Sequence, residues 1–348
     1  MLSPPLGVGL VGTGLIAAIH ARAFAAVPEF RLTAVASRSR AKAQEFASAH
    51  ALSLATDSVA ELCANPGVQV VCIATPSGAH LEPALLAIDA GKHVIIEKPL
   101  EISVARVDAM LALAERRGVV VAPIFQGRFG PGAQRVKQAV ASGALGRLAL
   151  ATVHVKWHRP ESYYQGWKGL LALDGGGALI NQAIHGLDLL QWFAGLPSEV
   201  FAWTTRRVHT GIEGEDTACA ALRFPDGALG TIEATTAAWP GWSRRIELAG
   251  DKGSISLEDD QIARWDLSSP APGEESSGTE SAGQSLGSGA SSPAGIGIEG
   301  HIRQFRDIAA AILHQRPLSI DGREGRRAVS LVESLYQSAK TSRPVTLS

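Results

Sequence analysis

Apolar residues in the first third of the chain recur in short strand-like runs separated by longer amphipathic stretches. The runs fall at residues 6–11, 31–37, 68–74, 93–97 and 119–124. Between them the apolar period lengthens to that of a helix. In residues 104–117, Val104, Val107, Met110, Leu111 and Ala114 share one helical face, and residues 16–27 and 40–49 read the same way. Alternating strands and helices of this kind predict a parallel sheet covered on both faces, a doubly wound α/β domain over residues 1–124.

After Gly130 the rhythm changes to a short helix followed by amphipathic strands joined by tight turns. Phe224-Pro-Asp-Gly227 and Gly250-Asp-Lys-Gly253 are hairpin signals. Strands are predicted at 148–157, 200–208, 218–224, 228–236, 244–249, 254–258 and 262–267, giving an α+β domain over residues 125–348 with an open, mostly antiparallel sheet. A helix predicted over 176–193 places Leu179, Ala183, Leu187 and Leu190 in one stripe and carries His185. Residues 268–295 are rich in Ser, Gly, Ala and Pro, too poor in apolar side chains to offset ordering entropy, and predict a flexible surface loop. Helices resume at 299–314 and 324–340, where they can pack back on the first domain.

Composition narrows the function. The chain of 348 residues has room for two cores, and its 46% hydrophobic and 19% charged residues are those of an ordinary globular protein. A net charge of -1 offers no field for a polyanion, so nucleic acid is not an expected partner. Neither a signal peptide nor an apolar run of roughly 18 residues is present, which predicts no membrane association and a cytoplasmic location. Cys63, Cys72 and Cys219 lack CxxC or CxH spacing, and neither a disulfide framework nor a metal is expected.

The chemistry-bearing residues sit where strands end. Gly7-Val-Gly9-Leu-Val-Gly12 matches G-x-G-x-x-G literally but lies inside the first strand; the working register is Gly12-Thr13-Gly14-Leu15-Ile16-Ala17. Gly12 allows the turn, Gly14 allows a pyrophosphate to approach, and the following helix offers its first N–H groups. The second strand ends in Ser37 and Arg38 rather than a carboxylate, with Arg40 and Lys42 beyond, a pattern that favours NADP over NAD; alternatively these cations only solvate the helix start and stack on adenine. Ala74, Thr75 and Pro76 end the next strand at the cofactor ribose, and His80 suits either a helix-start contact or the cofactor.

Glu97-Lys98-Pro99 ends a further strand. Lys98 can stabilise negative charge on a reacting substrate oxygen, or else be a surface lysine paired with Glu97; the proline suggests a fixed peptide, cis or trans, that aims the lysine. His185 follows Gly175, Gly176 and Gly177 and can take a hydroxyl proton. Asn181, one turn earlier, is a candidate substrate contact, and Asp188 could orient the imidazole. Trp157-His-Arg-Pro160, Tyr163, Tyr164, Gln165, Trp167 and Lys168 mix rings and polar tips as carbohydrate binding requires, or as a packed loop or subunit contact would. Glu97, Gln126 and Trp167 are further candidates for the cofactor, and Arg128 and Tyr163 for the substrate.

Gly12-Thr-Gly14 with His20, Ala74-Thr-Pro76, Ala90-Gly-Lys-His-Val-Ile-Ile-Glu-Lys-Pro99 and Asp321-Gly-Arg-Glu-Gly-Arg326 together resemble the Gfo/Idh/MocA family along nearly the whole chain. That resemblance implies a Rossmann domain, a second domain whose open sheet forms a homodimer or homotetramer, and hydride transfer at a sugar, nucleotide-sugar or cyclitol carbon. It also implies that Lys98 and His185 are the proton-transfer pair, one from each domain, with the active site expected in the cleft between them. Many relatives carry aspartate four residues before the histidine; here Asn181 leaves His185 without a carboxylate one turn away. The stretch from Asp174 to Asp188 resembles the branch that oxidises the 3-hydroxyl of nucleotide-linked N-acetylhexosaminuronates, whereas Ser37-Arg38 resembles NADP-using members acting on free sugars or dihydrodiols. Other outcomes are an enzyme that retains and recycles its cofactor, as a sugar-sugar oxidoreductase or redox-assisted isomerase or hydrolase, and a non-catalytic dinucleotide-binding protein.

Overall fold

The computed structural model describes residues 2–269 and 297–347. The chain divides into two units: Met1–Gln126 with Ile298–Val329, and Gly127–Gly297 with Ser330–Ser348.

The first unit runs β1 (Leu6–Val11), α1 (Leu15–Ala25), β2 (Phe30–Ala36), α2 (Arg40–His50), β3 (Leu54–Thr56), α3 (Val59–Ala64), β4 (Val70–Ile73), α4 (Leu81–Asp89), β5 (His93–Ile96), α5 (Val104–Arg117) and β6 (Val121–Pro123). The six strands are parallel in the order β3-β2-β1-β4-β5-β6. This is the doubly wound Rossmann arrangement. The order reverses beside β1 and β4, so the carboxyl ends of these strands open the ligand crevice.

Both faces of the sheet are covered. Leu6, Val8 and Leu10 of β1 pack with Phe24, Phe46 and Phe305, while Val11 joins Val71, Ile73, Ile88 and Met110 on the opposite face. Gly9 lies in β1 because a Cβ there would come 2.5 Å from Leu62, so it serves packing. Ser39, Ser58 and Ser103 cap α2, α3 and α5 by accepting the N–H of Lys42, Glu61 and Arg106, and α5 stops at Gly118 with φ +65°. The spacing did not predict β3 or α3: β3 has three residues, two of them only half-buried, and α3 has six.

In the second unit, α6 (Pro131–Ala141), β7 (Leu148–Lys156) and α7 (Leu171–Asp174) lead to a π-helical turn, Ala178–Ala183, that continues into α8 (Ile184–Ala194). There follow β8 (Glu199–Thr205), β9 (Thr217–Arg223), β10 (Leu229–Thr235), β11 (Arg245–Gly250), β12 (Gly253–Glu258) and β13 (Gln261–Leu267). After these come α9 (Glu299–His314) of the first unit, α10 (Gly322–Thr341), within which the division falls, and β14 (Val345–Thr346). The sheet order is β13-β12-β11-β7-β10-β9-β8-β14, and only β7 with β10 is parallel. Along β9 and β10 buried residues alternate with more exposed ones, the pattern of a sheet covered on one face.

One expectation changes. The helix expected over 176–193 is not one α-helix but the π-helical turn followed by α8. Neither α7 nor β14 was predicted, each being shorter than a period of its own pattern can reveal. Of the stretch expected to be a loop at 268–295, residues 270–295 lie outside the described residues. No described helix is long and apolar enough to cross a membrane.

Candidate active site

The turn after β1 fits a dinucleotide. Gly12 has φ +113°, and a Cβ on it would lie 2.5 Å from the Ala74 carbonyl oxygen. At Gly14, the first residue before α1, a Cβ would meet nothing within 4 Å, and α1 has neither a side-chain cap nor an acidic residue in its first turn. Thus the helix N-terminus faces open space, with Leu15 exposed and Ile16 half-buried. Thr13 Oγ1 donates to Ser37 Oγ at 3.4 Å, and Arg38 is exposed. Gln126 Oε1 is buried with no hydrogen-bond partner among the described residues, a polar atom that a bound carboxamide or hydroxyl could satisfy.

Ala74 is buried and Pro76 half-buried, and Thr75 Oγ1 donates to the Ala79 carbonyl at 2.9 Å. His80, a candidate cofactor contact, is fully buried instead. Its Nδ1 lies 2.9 Å from Pro99 O and its Nε2 3.0 Å from Thr75 O, so a backbone carbonyl faces each ring nitrogen and the neutral ring donates its one N–H to one of them. It ties the end of β4 to the Lys98-Pro99 turn, whose peptide is cis. Burial pushes its pKa down.

Glu97 is also buried rather than on the surface. Its Oε1 lies 2.7 Å from His20 Nε2, and its Oε2 accepts the Lys98 backbone N–H at 3.0 Å. Burial alone would raise the Glu97 pKa, but the His20 contact, with His301 and Lys98 nearby, holds it well below the carboxylate range. Lys98 itself is half-buried. Among the described residues, His20, Glu97 and His301 are also a group that could hold a metal ion, one atom of each lying within 4.8 Å of the others.

In the second unit, every residue from Gly176 to Gln191 is buried except His185, which is half-buried. The turn leading to it is held from outside. A Cβ on Gly177 would lie 1.8 Å from the Glu215 carbonyl oxygen, and the Glu215 carboxylate accepts N–H bonds from Gly177 at 3.0 Å and Leu179 at 2.7 Å and the Tyr336 hydroxyl at 3.0 Å. Burial pushes the Glu215 pKa up to about 7, only partly offset by these donors.

Asn181 and Tyr163 meet. Asn181 Nδ2 donates to Asp174, and its Oδ1 accepts from the Tyr163 hydroxyl at 3.2 Å and from Gln182 Nε2 at 2.5 Å. Gln182 in turn accepts from Arg159 at 2.6 Å, and Lys168 Nζ sits 3.5 Å above the Tyr163 ring. A carboxylate is therefore beside Asn181 after all, supplied by Asp174, which a count of residues back from the histidine could not reveal. Burial raises the Tyr163 pKa, so the phenol stays protonated. Trp167 is half-exposed.

Arg128, expected at the substrate, is 2% exposed and binds Asp188 through Nε at 2.8 Å and Nη2 at 2.6 Å. That bidentate pair assigns Arg128 to the interior and gives Asp188 a partner other than the one expected. Glu215 was missed because no motif marks it, and His301 because only α9 brings it to His20.

Two family descriptions match this chain: "Oxidoreductase family, NAD-binding Rossmann fold" over residues 6–125 and "GFO/IDH/MocA C-terminal domain" over 133–256. An uncharacterized oxidoreductase, sll0816, of Synechocystis sp. is 34% identical over 272 residues, 75% of this chain and 73% of its own. The chain belongs to the Gfo/Idh/MocA oxidoreductase family. Another member, the trans-1,2-dihydrobenzene-1,2-diol dehydrogenase of Bos taurus, is 30% identical over 80% of this chain and 84% of its own. Among solved structures of the Gfo/Idh/MocA fold, the WlbA dehydrogenase of Bordetella pertussis in complex with NADH and UDP-GlcNAcA has 28% identity and a TM-score of 0.86 over 99% of both chains. The protein is thus an oxidoreductase with a NAD-binding Rossmann domain.

Proposed function

We propose that the protein transfers hydride between a hydroxyl-bearing carbon of a sugar, sugar derivative or cyclitol and a nicotinamide dinucleotide, with Lys98 and His185 as the proton-transfer pair. The observation that carries this reading is the likeness, over 99% of both chains, to a dehydrogenase holding NADH and a nucleotide sugar. When bound, the nicotinamide supplies the hydride acceptor. Lys98 stabilises negative charge on the substrate oxygen, and His185 takes the hydroxyl proton. Asn181, its amide oriented by Asp174 and Tyr163, and Tyr163 contact the substrate. The cradle at Gly12, Gly14 and α1, with Gln126 and Trp167, binds the dinucleotide. At the end of β2, Ser37 and Arg38 present no carboxylate to repel a 2′-phosphate, which supports NADP over NAD.

The same reading includes a homodimer or homotetramer through the eight-stranded sheet. Leu150, Trp203 and Leu229 lie on one of its faces at 43%, 61% and 54% exposure, and light scattering measures the assembly.

The test is fluorescence titration with NADPH and NADH, then a screen of free and nucleotide-linked sugars for cofactor reduction. Lys98→Met and His185→Ala each lower turnover by about 10²–10⁴-fold while dinucleotide affinity survives. Near-normal turnover in either variant removes the role assigned to that residue, and tighter binding of NADH than of NADPH removes the NADP preference.

A further inference from the structure

Four elements of the first unit bring polar side chains to one enclosed point next to the Lys98 backbone. His20 comes from α1, Cys72 from β4, Glu97 from the end of β5 and His301 from α9. His20, Cys72 and His301 are fully buried and Glu97 nearly so. His20 Nδ1 lies 3.2 Å from Cys72 Sγ and its Nε2 2.7 Å from Glu97 Oε1. The His301 ring centroid is 5.3 Å from that of His20, and Phe305 closes the group edge-on at 5.4 Å.

The spacing separates two uses of such a cluster. Two ligands of one tetrahedral zinc ion, each bound at about 2.0–2.1 Å, lie roughly 3.3 Å apart. At 2.7 Å, His20 and Glu97 have ion-pair spacing instead. A lone buried carboxylate would take up a proton; with His20 against it Glu97 keeps its charge, and the His20 pKa is correspondingly raised, Cys72 and Glu97 outweighing burial. The second carboxylate oxygen is then committed to the Lys98 N–H at 3.0 Å.

We propose that His20, backed by the His301 ring, is a positioning residue: it holds the Glu97 carboxylate, whose second oxygen fixes the Lys98 backbone. The importance of this arrangement to catalysis rests on the reading of Lys98 as the group that meets the substrate oxygen. The arrangement explains why a glutamate immediately before the lysine is turned into the interior, where a surface Glu-Lys pair would leave the lysine mobile and worth little.

The experiment reads Lys98 without any substrate. Full-length wild type, Glu97→Gln and His20→Gln are labelled with trinitrobenzenesulfonate between about pH 7 and 11, and rates at each lysine are followed by peptide mass mapping; NADH fluorescence titration reports whether the fold survives. Removing the charge of Glu97, or the partner that holds it, weakens its grip on the Lys98 N–H and leaves the Lys98 turn looser and its amine more accessible. The expected result is labelling of Lys98 about tenfold faster in both variants across this range, with Lys42 and Lys92 unchanged. Lys98 rates within about twofold of wild type in either variant, slower labelling, or equal acceleration of all three lysines overturns the proposal. On any sugar that is turned over, kcat falls about tenfold while the dinucleotide KM is unchanged; a change confined to KM also overturns it. Intact turnover in Lys98→Met, by contrast, would remove only the proposed catalytic role, because the labelling still decides the positioning.

Discussion

Glu97 in the first unit and Glu215 in the second are both buried, and both accept backbone N–H groups of segments that carry candidate site residues. Their acidities nevertheless move in opposite directions. Burial would raise both, but at Glu97 the His20 contact reverses it to about 2, whereas Glu215 is left at about 7. Glu215 has more hydrogen-bond donors on its carboxylate, two backbone N–H groups and the Tyr336 hydroxyl. The comparison teaches that neutral donors lessen the cost of burying a carboxylate, while a cation in contact cancels it.

The largest effect should come from removing the cation. His20→Leu leaves Glu97 buried without its partner, and urea unfolding at neutral pH should show a loss of about 3–5 kcal/mol. A loss below about 1 kcal/mol would mean that the two glutamates do not differ in this way.

A second test reads the sign of the Glu215 displacement. Its folded pKa is raised from 4.5 to about 7, so the stabilisation is fully present below 4.5 and disappears as pH rises through about 7. The displacement corresponds to roughly 3 kcal/mol. Glu215→Gln should flatten that stretch of the stability profile; a variant that keeps the wild-type slope would assign the slope to another group. Glu97, displaced downward, contributes at the other end: its stabilisation is present above 4.5 and is lost as pH falls toward about 2.

The smallest effect isolates one neutral donor. Tyr336→Phe removes the hydroxyl from Glu215 and should cost about 1 kcal/mol, with the midpoint of the neutral-pH loss displaced upward. If its cost equals that of His20→Leu, the distinction between a neutral donor and a cation fails.

Much of the architecture was legible in short windows. Most strands of both sheets and helices such as α5 and α9 follow from apolar period, and α5 also has a serine cap and a glycine stop within its own window. The glycine register was legible too, because a strand must end before its turn begins. What escaped were elements too short to repeat their pattern even twice, β3, α3, α7 and β14, and the π-helical turn before His185. Gly177 lets the Glu215 backbone approach there, and Glu215 takes up the N–H groups of Gly177 and Leu179, a local rule overridden by a distant residue. Arg128 suited a substrate contact by its type, and His80 suited either a helix-start contact or the cofactor; the fold brings Asp188 to Arg128 and two backbone carbonyls to His80, partners that no short window shows.

The sequence by itself determined the doubly wound domain, the glycine turn and the strand-end position of Lys98, since each depends on spacing that near neighbours impose. Only the tertiary structure decided which charges meet. His20 reaches Glu97 and His301 because α1 and α9 pack on the same face of the sheet, and Asn181 reaches Asp174 because the chain turns back at three glycines. Burial and contact set the charge state of a side chain, and both belong to the folded chain rather than to any window of its sequence.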